Sequence, residues 1–384
     1  MMKIVIAPDS FKESLSAMAV ASCIENGFSQ IFPNCEVVKI PLADGGEGTV
    51  DVLVDALNGE RQHQDVQGPI SGNVNAVWAL LHEGQSKTAL IEIAAASGLD
   101  LITPEQRNPL LATSFGTGQT ILQALDSGVE KIIIGLGGSA TNDAGAGILQ
   151  ALGGQLLDAQ GNELPPGGAA LIDLAAIDLS NIDKRCANVE FIVACDVSNP
   201  LTGSNGASHV FGPQKGATPE MVEQLDKALA HFADVAEKTL TVNHQQSAGF
   251  GAAGGTPMGL CLAFDIQIQA GIDMVLDILK VDDALAGADL VITGEGQMDN
   301  QTLNGKTPFG IAKRAQARNI PVIAIAGSLG FEVEALYDTI GSIFGSVRSP
   351  QPLAQVLSEA EGNLTRTARN IAATLAMGNT LSLK

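Results

Sequence analysis

Aromatic residues and positive charge are both scarce in this 384-residue chain, which holds one Trp, one Tyr and 12 Phe, and 21 Lys and Arg against 42 Asp and Glu. The resulting formal net charge of -21 repels nucleic acid and anionic membrane surfaces, so neither is expected as a partner. An anionic substrate is still admissible, provided its site is locally positive. The five Cys, at positions 23, 35, 186, 195 and 261, are an odd, unclustered set with no C-x-x-C and no Cys/His zinc spacing. A reduced, cytoplasmic setting is therefore expected. Long apolar runs are missing too. The apolar stretch after Lys3 stops at Asp9, too short for the core of a signal peptide. The longest stretch without a formal charge, 239–264, contains five Gly, a Pro and Asn243, His244, Gln245 and Gln246. It reads as a glycine-rich buried loop or turn region rather than a membrane span.

What the chain does have is glycine. There are 43, spread without a period, beside a hydrophobic content of 45%, which suits a folded protein with many tight strand-to-helix turns and excludes a collagen-like repeat. The length points to roughly two to three domains.

Hydrophobic periodicity organises the chain. Residues 3–7 form a short apolar run ended by Pro8-Asp9-Ser10, and Ala17, Val20, Ala21, Ile24, Phe28 and Ile31 then recur at helical spacing. A second strand over 36–40 leads through Asp44-Gly45-Gly46 to a helical stripe at Val50, Leu53, Val54 and Leu57. This strand–helix–strand–helix rhythm predicts a parallel, doubly wound sheet. From about residue 66 the texture changes: strands over 74–81 and 88–93 have no helix between them and read as an antiparallel pair. A helix over 117–127, a strand over 131–134, a small-residue helix near 143–152, a strand over 189–194 and a helix over 219–238 follow. Near 289 the first rhythm returns, with strands over 290–292, 321–326 and 342–347. The fold class is therefore read as α/β with two different α/β domains. One is a doubly wound, Rossmann- or flavodoxin-like parallel-sheet domain made of residues 1–65 and 289–384. The other is a domain of mixed sheet, residues 66–288, inserted into it.

Ligands of open α/β sheets bind outside the C-terminal ends of the strands. Polar residues and glycines gather there in this sequence: Asp9 and Ser10, Asp44 with Gly45 and Gly46, the run Gly135 to Ser139, Asp196, Thr293 to Gly296, and Gly327-Ser328. Glycine lets backbone N–H groups approach a phosphate. The run G-L-G-G-S-A at 135–140 also matches the dinucleotide fingerprint, with Asp158 about 20 residues on, so an NAD-dependent dehydrogenase stays open at this level. Asn304-Gly305-Lys306-Thr307 ends like a phosphate-binding P-loop, but Asn300 stands where its first Gly belongs. H-E-x-x-H and G-x-S-x-G are absent, which disfavours zinc proteases and His-based hydrolases. Lys12 reads either as an anion clamp or as part of a Ser10–Glu13 capping box. Lys215, flanked by Gly212 and Gly216, reads as an anion contact or a solvated loop lysine. Asp196 suits a proton acceptor or Mg²⁺ ligand, or an Asx-turn cap. Glu295 and Asp299, near Lys306, suit metal–phosphate handling.

Taken together these segments resemble the bacterial type-1 glycerate kinase family. The resemblance rests on A-P-D-S-F-K-E-S-L-S-A at 7–17, P-L-A-D-G-G-E-G-T at 41–49, G-L-G-G-S-A-T-N-D-A-G at 135–145, A-C-D-V-S-N-P-L at 194–201, G-A-A-G-G at 251–255, and T-G-E-G-Q-M-D at 293–299 with Gly305-Lys306. The blocks span nearly the whole chain. It departs at Glu13, where the family pattern has Gly, and at Ser198, where it has Thr. The resemblance implies phosphorylation of D-glycerate by ATP with Mg²⁺, two different α/β domains with the active site between them, and 2-phosphoglycerate as product in glycolate, glyoxylate or sugar-acid catabolism; 3-phosphoglycerate is the alternative. On this reading Lys12, Asp196 and Asp44 are catalytic, Gly137, Gly138, Ser139, Asn142, Asp143, Lys215 and Lys306 bind ATP phosphates, Asp9, Ser10, Gly45 and Gly46 bind substrate, and Glu295 and Asp299 hold the metal. A homo-oligomer stays open. A non-enzymatic sugar-acid sensor would bind the acid and consume nothing.

Overall fold

A computed structural model describes residues 1–43, 49–303 and 305–378. The larger strands in chain order are β1 (Lys3–Ile6), β2 (Glu36–Lys39), β3 (Glu60–Gln67), β4 (Asn73–Glu83), β5 (Ser86–Glu92), β6 (Lys131–Gly135), β7 (Glu190–Ala194), β8 (Ile266–Gln269), β9 (Leu290–Thr293), β10 (Val322–Ala326) and β11 (Ser342–Gly345). The principal helices are α1 (Ala17–Ser29), α2 (Thr49–Leu57), α3 (Phe115–Asp126), α4 (Ala146–Ala151), α5 (Pro219–Leu240), α6 (Thr256–Ala263), α7 (Thr307–Gln316) and α8 (Ala360–Gly378). The chain divides into two compact units, one of residues 1–56 and 271–384 and one of residues 57–270.

The first unit is built on a five-stranded sheet in the order β11-β10-β9-β1-β2, every pair parallel. Its three central strands, β10, β9 and β1, are buried on both faces, which is why they read as continuous apolar runs rather than alternating ones. Ile4 and Ile6, Leu290 and Ile292, and Ile323 and Ile325 share one face and meet Val20, Ile24 and Phe28 of α1 and Leu364 and Ile371 of α8. The chain leaves β1 toward β2 on one side and leaves β9 toward β10 and β11 on the other. The order therefore reverses between β1 and β9, which are neighbours, and this is where a doubly wound sheet opens a crevice.

The second unit carries a six-stranded sheet in the order β8-β7-β6-β5-β4-β3. β3, β4 and β5 pair antiparallel, and β5 to β8 pair parallel. Trp78 lies fully buried against α3 with its indole N–H donating to Gln123 Oε1 at 2.9 Å, so it is a packing residue.

The unit boundaries fall elsewhere than the sequence reading put them. β3 alternates polar and charged residues on an edge and carries little apolar signal, yet it belongs to the second unit because its whole length pairs with β4. Residues 271–288, expected in the inserted part, belong to the first unit; Ile272 sits against Gly310 of α7. The segment 239–264 is also not a loop throughout. It ends in α6, where Pro257 occupies the first helical turn.

Candidate active site

The crevice of the first unit is assembled from the loops that leave β1 and β9. After β1, Asp9 donates its backbone N–H to the Gly294 carbonyl at 2.8 Å, and its side chain accepts from the Thr307 hydroxyl at 2.7 Å and from the Ser10 N–H at 2.6 Å. Gly294 is required by close approach, because a Cβ there would collide with the Ile325 carbonyl oxygen. The cap of α1 is Ser16, which accepts from the Ala19 N–H, so Ser10 to Glu13 is not a capping box. Lys12 instead stands exposed on a tight turn closed by Phe11 and Leu15, and Glu13 beside it has φ +64°. That backbone region favours glycine, the residue the family pattern has there.

After β9, Glu295 is 8% exposed. Its Oε1 accepts from the Thr302 hydroxyl at 2.7 Å, and its Oε2 lies 3.7 Å from Lys306 Nζ. Burial raises its carboxyl from 4.5 to about 7, and the charges of Asp9 and Asp299 push the same way against the Thr302 hydroxyl and Lys306. Lys306 occupies the residue before α7, whose first turn holds Pro308. Asp9, Lys12, Glu295, Lys306 and Ser328 line one cavity of about 520 Å³. Lys12 and Lys306 bring two cationic groups into this crevice, beside the carboxyl groups of Asp9, Glu13 and Glu295.

Asp299, paired with Glu295 in the sequence reading, does not line this cavity. Its carboxylate accepts from the Gln301 N–H at 2.9 Å and from the Gln297 amide at 3.3 Å within its own turn. Among the described residues no cluster of three or more His, Cys, Asp or Glu is placed to hold a metal ion. Asp44, Gly45 and Gly46 lie outside the described residues.

In the second unit, the glycine run after β6 does not open a helix. α4 starts only at Ala146, and Asp158 is a half-buried residue whose carboxylate accepts from the N–H groups of Gln160 and Asn162 in its own turn. The strand–loop–helix context of a dinucleotide fingerprint is therefore missing. Gly137 and Gly138 are exposed, with Gly138 at φ +71°. Behind them lies a buried polar cluster. Lys215 is 2% exposed, and its Nζ donates to Ser139 Oγ at 2.9 Å and to the Thr141 carbonyl at 2.6 Å. Burial lowers its ammonium to about 7, opposed by the neighbouring Asp143. Lys215 is thus not a solvated loop lysine. Asp143 is fully buried and accepts from the Ser114 N–H and hydroxyl at 2.8 and 2.9 Å and from the N–H groups of Gly145 and Gly147. Burial pushes its carboxyl up and those donors pull it down. Asn142 donates to Ser208 Oγ at 3.0 Å, and its Oδ1 is buried without a partner. Lys215 holds the end of the Gly137–Ser139 loop from behind, through Ser139. Asp196 is exposed immediately after β7.

Gln351 and Asn363 also line the first unit's cavity, and sequence reasoning missed them. Neither sits in a glycine-rich block nor directly at a strand end. Their only signal is a polar residue among the apolar positions that follow the last strand.

Comparison with known proteins gives a consistent picture. Residues 4–376 match the Glycerate kinase family. The chain is 51% identical over 383 residues to the Glycerate kinase of Bacillus subtilis (strain 168), covering all of both chains. It is 50% identical over 378 residues to the Glycerate 2-kinase of Escherichia coli (strain K12), covering 98% of this chain and 99% of the relative. A crystal structure provisionally assigned as glycerate kinase 2 from Salmonella typhimurium LT2 superposes with a TM-score of 0.89 at 53% identity, over 99% of this chain and all of that one.

Proposed function

The chain belongs to the glycerate kinase family of ATP-dependent kinases, and from that premise we propose that it transfers the γ-phosphoryl group of ATP to the C2 hydroxyl of D-glycerate, giving 2-phosphoglycerate. The observation that carries the product is the 50% identity, over nearly the full length of both chains, to the Glycerate 2-kinase of Escherichia coli. A place in glycolate, glyoxylate or sugar-acid catabolism goes with that product.

Phosphoryl transfer asks a protein mainly to position the reactants and neutralise charge. Lys12 and Lys306 supply positive charge in the cavity beside Asp9 and Glu295. We assign the hydroxyl proton to Glu295, because a carboxyl brought to about 7 by burial matches the range a base needs near neutral pH. Asp196, the acceptor favoured from the sequence, is the second candidate. Mg²⁺ carried in with ATP would find an oxygen donor in Asp9, and when bound it would neutralise charge on the phosphate oxygens. Asp299 is less suited, since it does not line the cavity. In the second unit the exposed Gly137 and Gly138 are the phosphate-facing candidates, with Ser139, Asn142, Asp143 and Lys215 behind them.

Phosphorus NMR of the product after incubation with ATP, Mg²⁺ and D-glycerate tests the reading. A phosphate on C2 couples to one proton and gives a doublet, and one on C3 couples to two and gives a triplet. A triplet overturns the 2-phosphate assignment, and no new phosphate ester overturns the kinase reading. Comparing Glu295→Gln with Asp196→Asn identifies the base: the variant that loses turnover while ATP affinity holds is the proton acceptor.

A further inference from the structure

Lys215 is a buried lysine without a counter-ion. It is 2% exposed, and its Nζ donates to Ser139 Oγ at 2.9 Å and to the Thr141 carbonyl at 2.6 Å. An ammonium carries three hydrogens, so one is left over. Among the described residues Lys215 makes no ion pair. Asp143, the acid whose charge acts on it, already accepts from Ser114, Gly145 and Gly147. Fully buried charges are ordinarily paired, and here the counter-charge is missing.

The ammonium holds the end of a loop with spare donors. The Gly138 carbonyl accepts from the Leu99 N–H, and the Ala140 N–H donates to the Ser97 carbonyl, both at 2.8 Å. The N–H groups of Gly137, Gly138 and Ser139 donate to no described residue. Gly137 and Gly138 are exposed, and successive free N–H groups on a turn form an anion-binding concavity. The Ser139 hydroxyl adds a further donor. An ammonium can only donate, so Ser139 Oγ accepts from Lys215 and its own hydrogen is left for another acceptor.

We propose that Lys215 is a positioning residue of an anion site in the second unit: from behind the Gly137–Ser139 loop its ammonium supplies positive charge and fixes the Ser139 hydroxyl as a donor, so that the loop holds an anionic oxygen of a substrate while Lys215 keeps its proton. That oxygen belongs to a phosphate of ATP or to the carboxylate of D-glycerate, and Lys215 acts on it without touching it. Burial lowers the ammonium from 10.5 to about 7, so the proton is lost to solvent near neutral pH. The neutral amine has a lone pair, and it can accept from the Ser139 hydroxyl while still donating to Thr141. The hydroxyl hydrogen then turns inward and the positive charge is gone. An anion in the loop favours the ammonium, so its affinity falls as the pH rises from about 7 to about 9. The neighbouring charged side chains are engaged elsewhere: Arg107 donates to the Gln214 carbonyl at 3.3 Å, and His209 meets Glu223 at 3.2 Å and Asp226 at 3.6 Å on α5.

The inference rests on the proposed kinase function, and binding tests it apart from turnover. Isothermal titration calorimetry measures ATP with Mg²⁺, and separately D-glycerate, on the wild type, Ser139→Ala and Lys215→Met at four pH values from 6 to 9. Each protein is first shown to melt cooperatively, and Ser139→Ala decides the matter if Lys215→Met does not fold. At pH 6 both variants should bind one of the two ligands about tenfold to a hundredfold more weakly than wild type, the range for one hydrogen bond to a charged group. By pH 9 that gap should close to within about threefold, because wild type has lost what the variants lack. Glu295, which also titrates in this range, is the same in all three proteins and cancels in the ratio. The ligand that responds identifies the oxygen, ATP for a phosphate and D-glycerate for a carboxylate. A lysine that served stability alone would lower the melting temperature and leave the ratio of affinities constant with pH. Equal affinities of wild type and Ser139→Ala for both ligands at pH 6, or a gap that stays constant from pH 6 to 9, would overturn the inference. A wild type that binds as expected yet forms no phosphoglycerate overturns the proposed function instead, and one that binds neither ligand overturns both.

Discussion

Glu295→Gln removes the charge of the buried carboxyl and keeps its shape, so it tests the physical state of the crevice directly. The carboxyl is held at about 7 against an ordinary 4.5, chiefly by burial. The native state therefore binds this proton more tightly than the unfolded chain does. The resulting stability is fully present below about pH 4.5 and is lost as the pH rises through about 7. At about 1.36 kcal/mol per pH unit the whole span is worth at most about 3 kcal/mol, with the opposing effect of Lys306 already contained in it. Gln keeps an acceptor for the Thr302 hydroxyl and carries no charge to desolvate. The variant should match wild type near pH 5 and exceed it by about 1–3 kcal/mol at pH 8–9.

Urea denaturation at five pH values from 5 to 9 reads this difference, while the same variant reads the chemistry. Turnover should fall about 10²–10⁴-fold if Glu295 takes the proton. In the wild type kcat/KM should climb through about pH 7 as the carboxylate forms. A gain in alkaline stability with a large loss of rate is the signature of a group strained for function. Parallel stability profiles for wild type and variant would refute the raised carboxyl. A normal rate in a stabilised variant would refute its role as base.

Lys12→Ala should cost on the order of 2–4 kcal/mol of transition-state stabilisation, read as kcat/KM in a coupled ADP assay, with the melting temperature unchanged because Lys12 is exposed. Glu13→Gly should raise stability by about 0.5–1 kcal/mol in urea titrations, since φ is +64° there and glycine pays no steric cost in that region. Gly138→Val places a β-branched residue at φ +71° with its Cβ 3.2 Å from that of Ala94, so it should disturb the loop and lower turnover; Asp158→Ala, in an exposed turn, should leave turnover alone, and the opposite pattern would restore the dinucleotide reading. Lys215→Met leaves the Thr141 carbonyl and Ser139 without their donor and should cost about 1–3 kcal/mol. Because burial lowers the Lys215 ammonium from 10.5 to about 7, wild-type stability should rise between pH 7 and 10 through this group, and the rise should be absent from the variant.

Strands buried on both faces announce themselves, and β1, β9 and β10 were legible as apolar runs bounded by Pro, Asp and Gly. β3 was not, because an edge strand in water need not alternate strictly, and its E-R-Q-H-Q-D-V-Q composition is set by β4 rather than by its own apolar content. The ends of β1 and β9 could be named as a ligand site because polar residues at parallel strand ends are a local feature. That they are neighbours could not, since adjacency depends on a crossover of nearly 300 residues.

Burial is the property that a linear reading loses first, and it reversed the meaning of one residue here. Lys215 between glycines has the look of a solvated loop lysine, and only the folded chain shows it enclosed with Ser139 and Thr141 as partners. The side chain carries the same chemistry in the sequence and in the structure; what changes is whether water is available to complete its hydrogen bonds. A buried ammonium that water cannot satisfy must be satisfied by the protein, and here Ser139 and the Thr141 carbonyl do so for two of its three hydrogens.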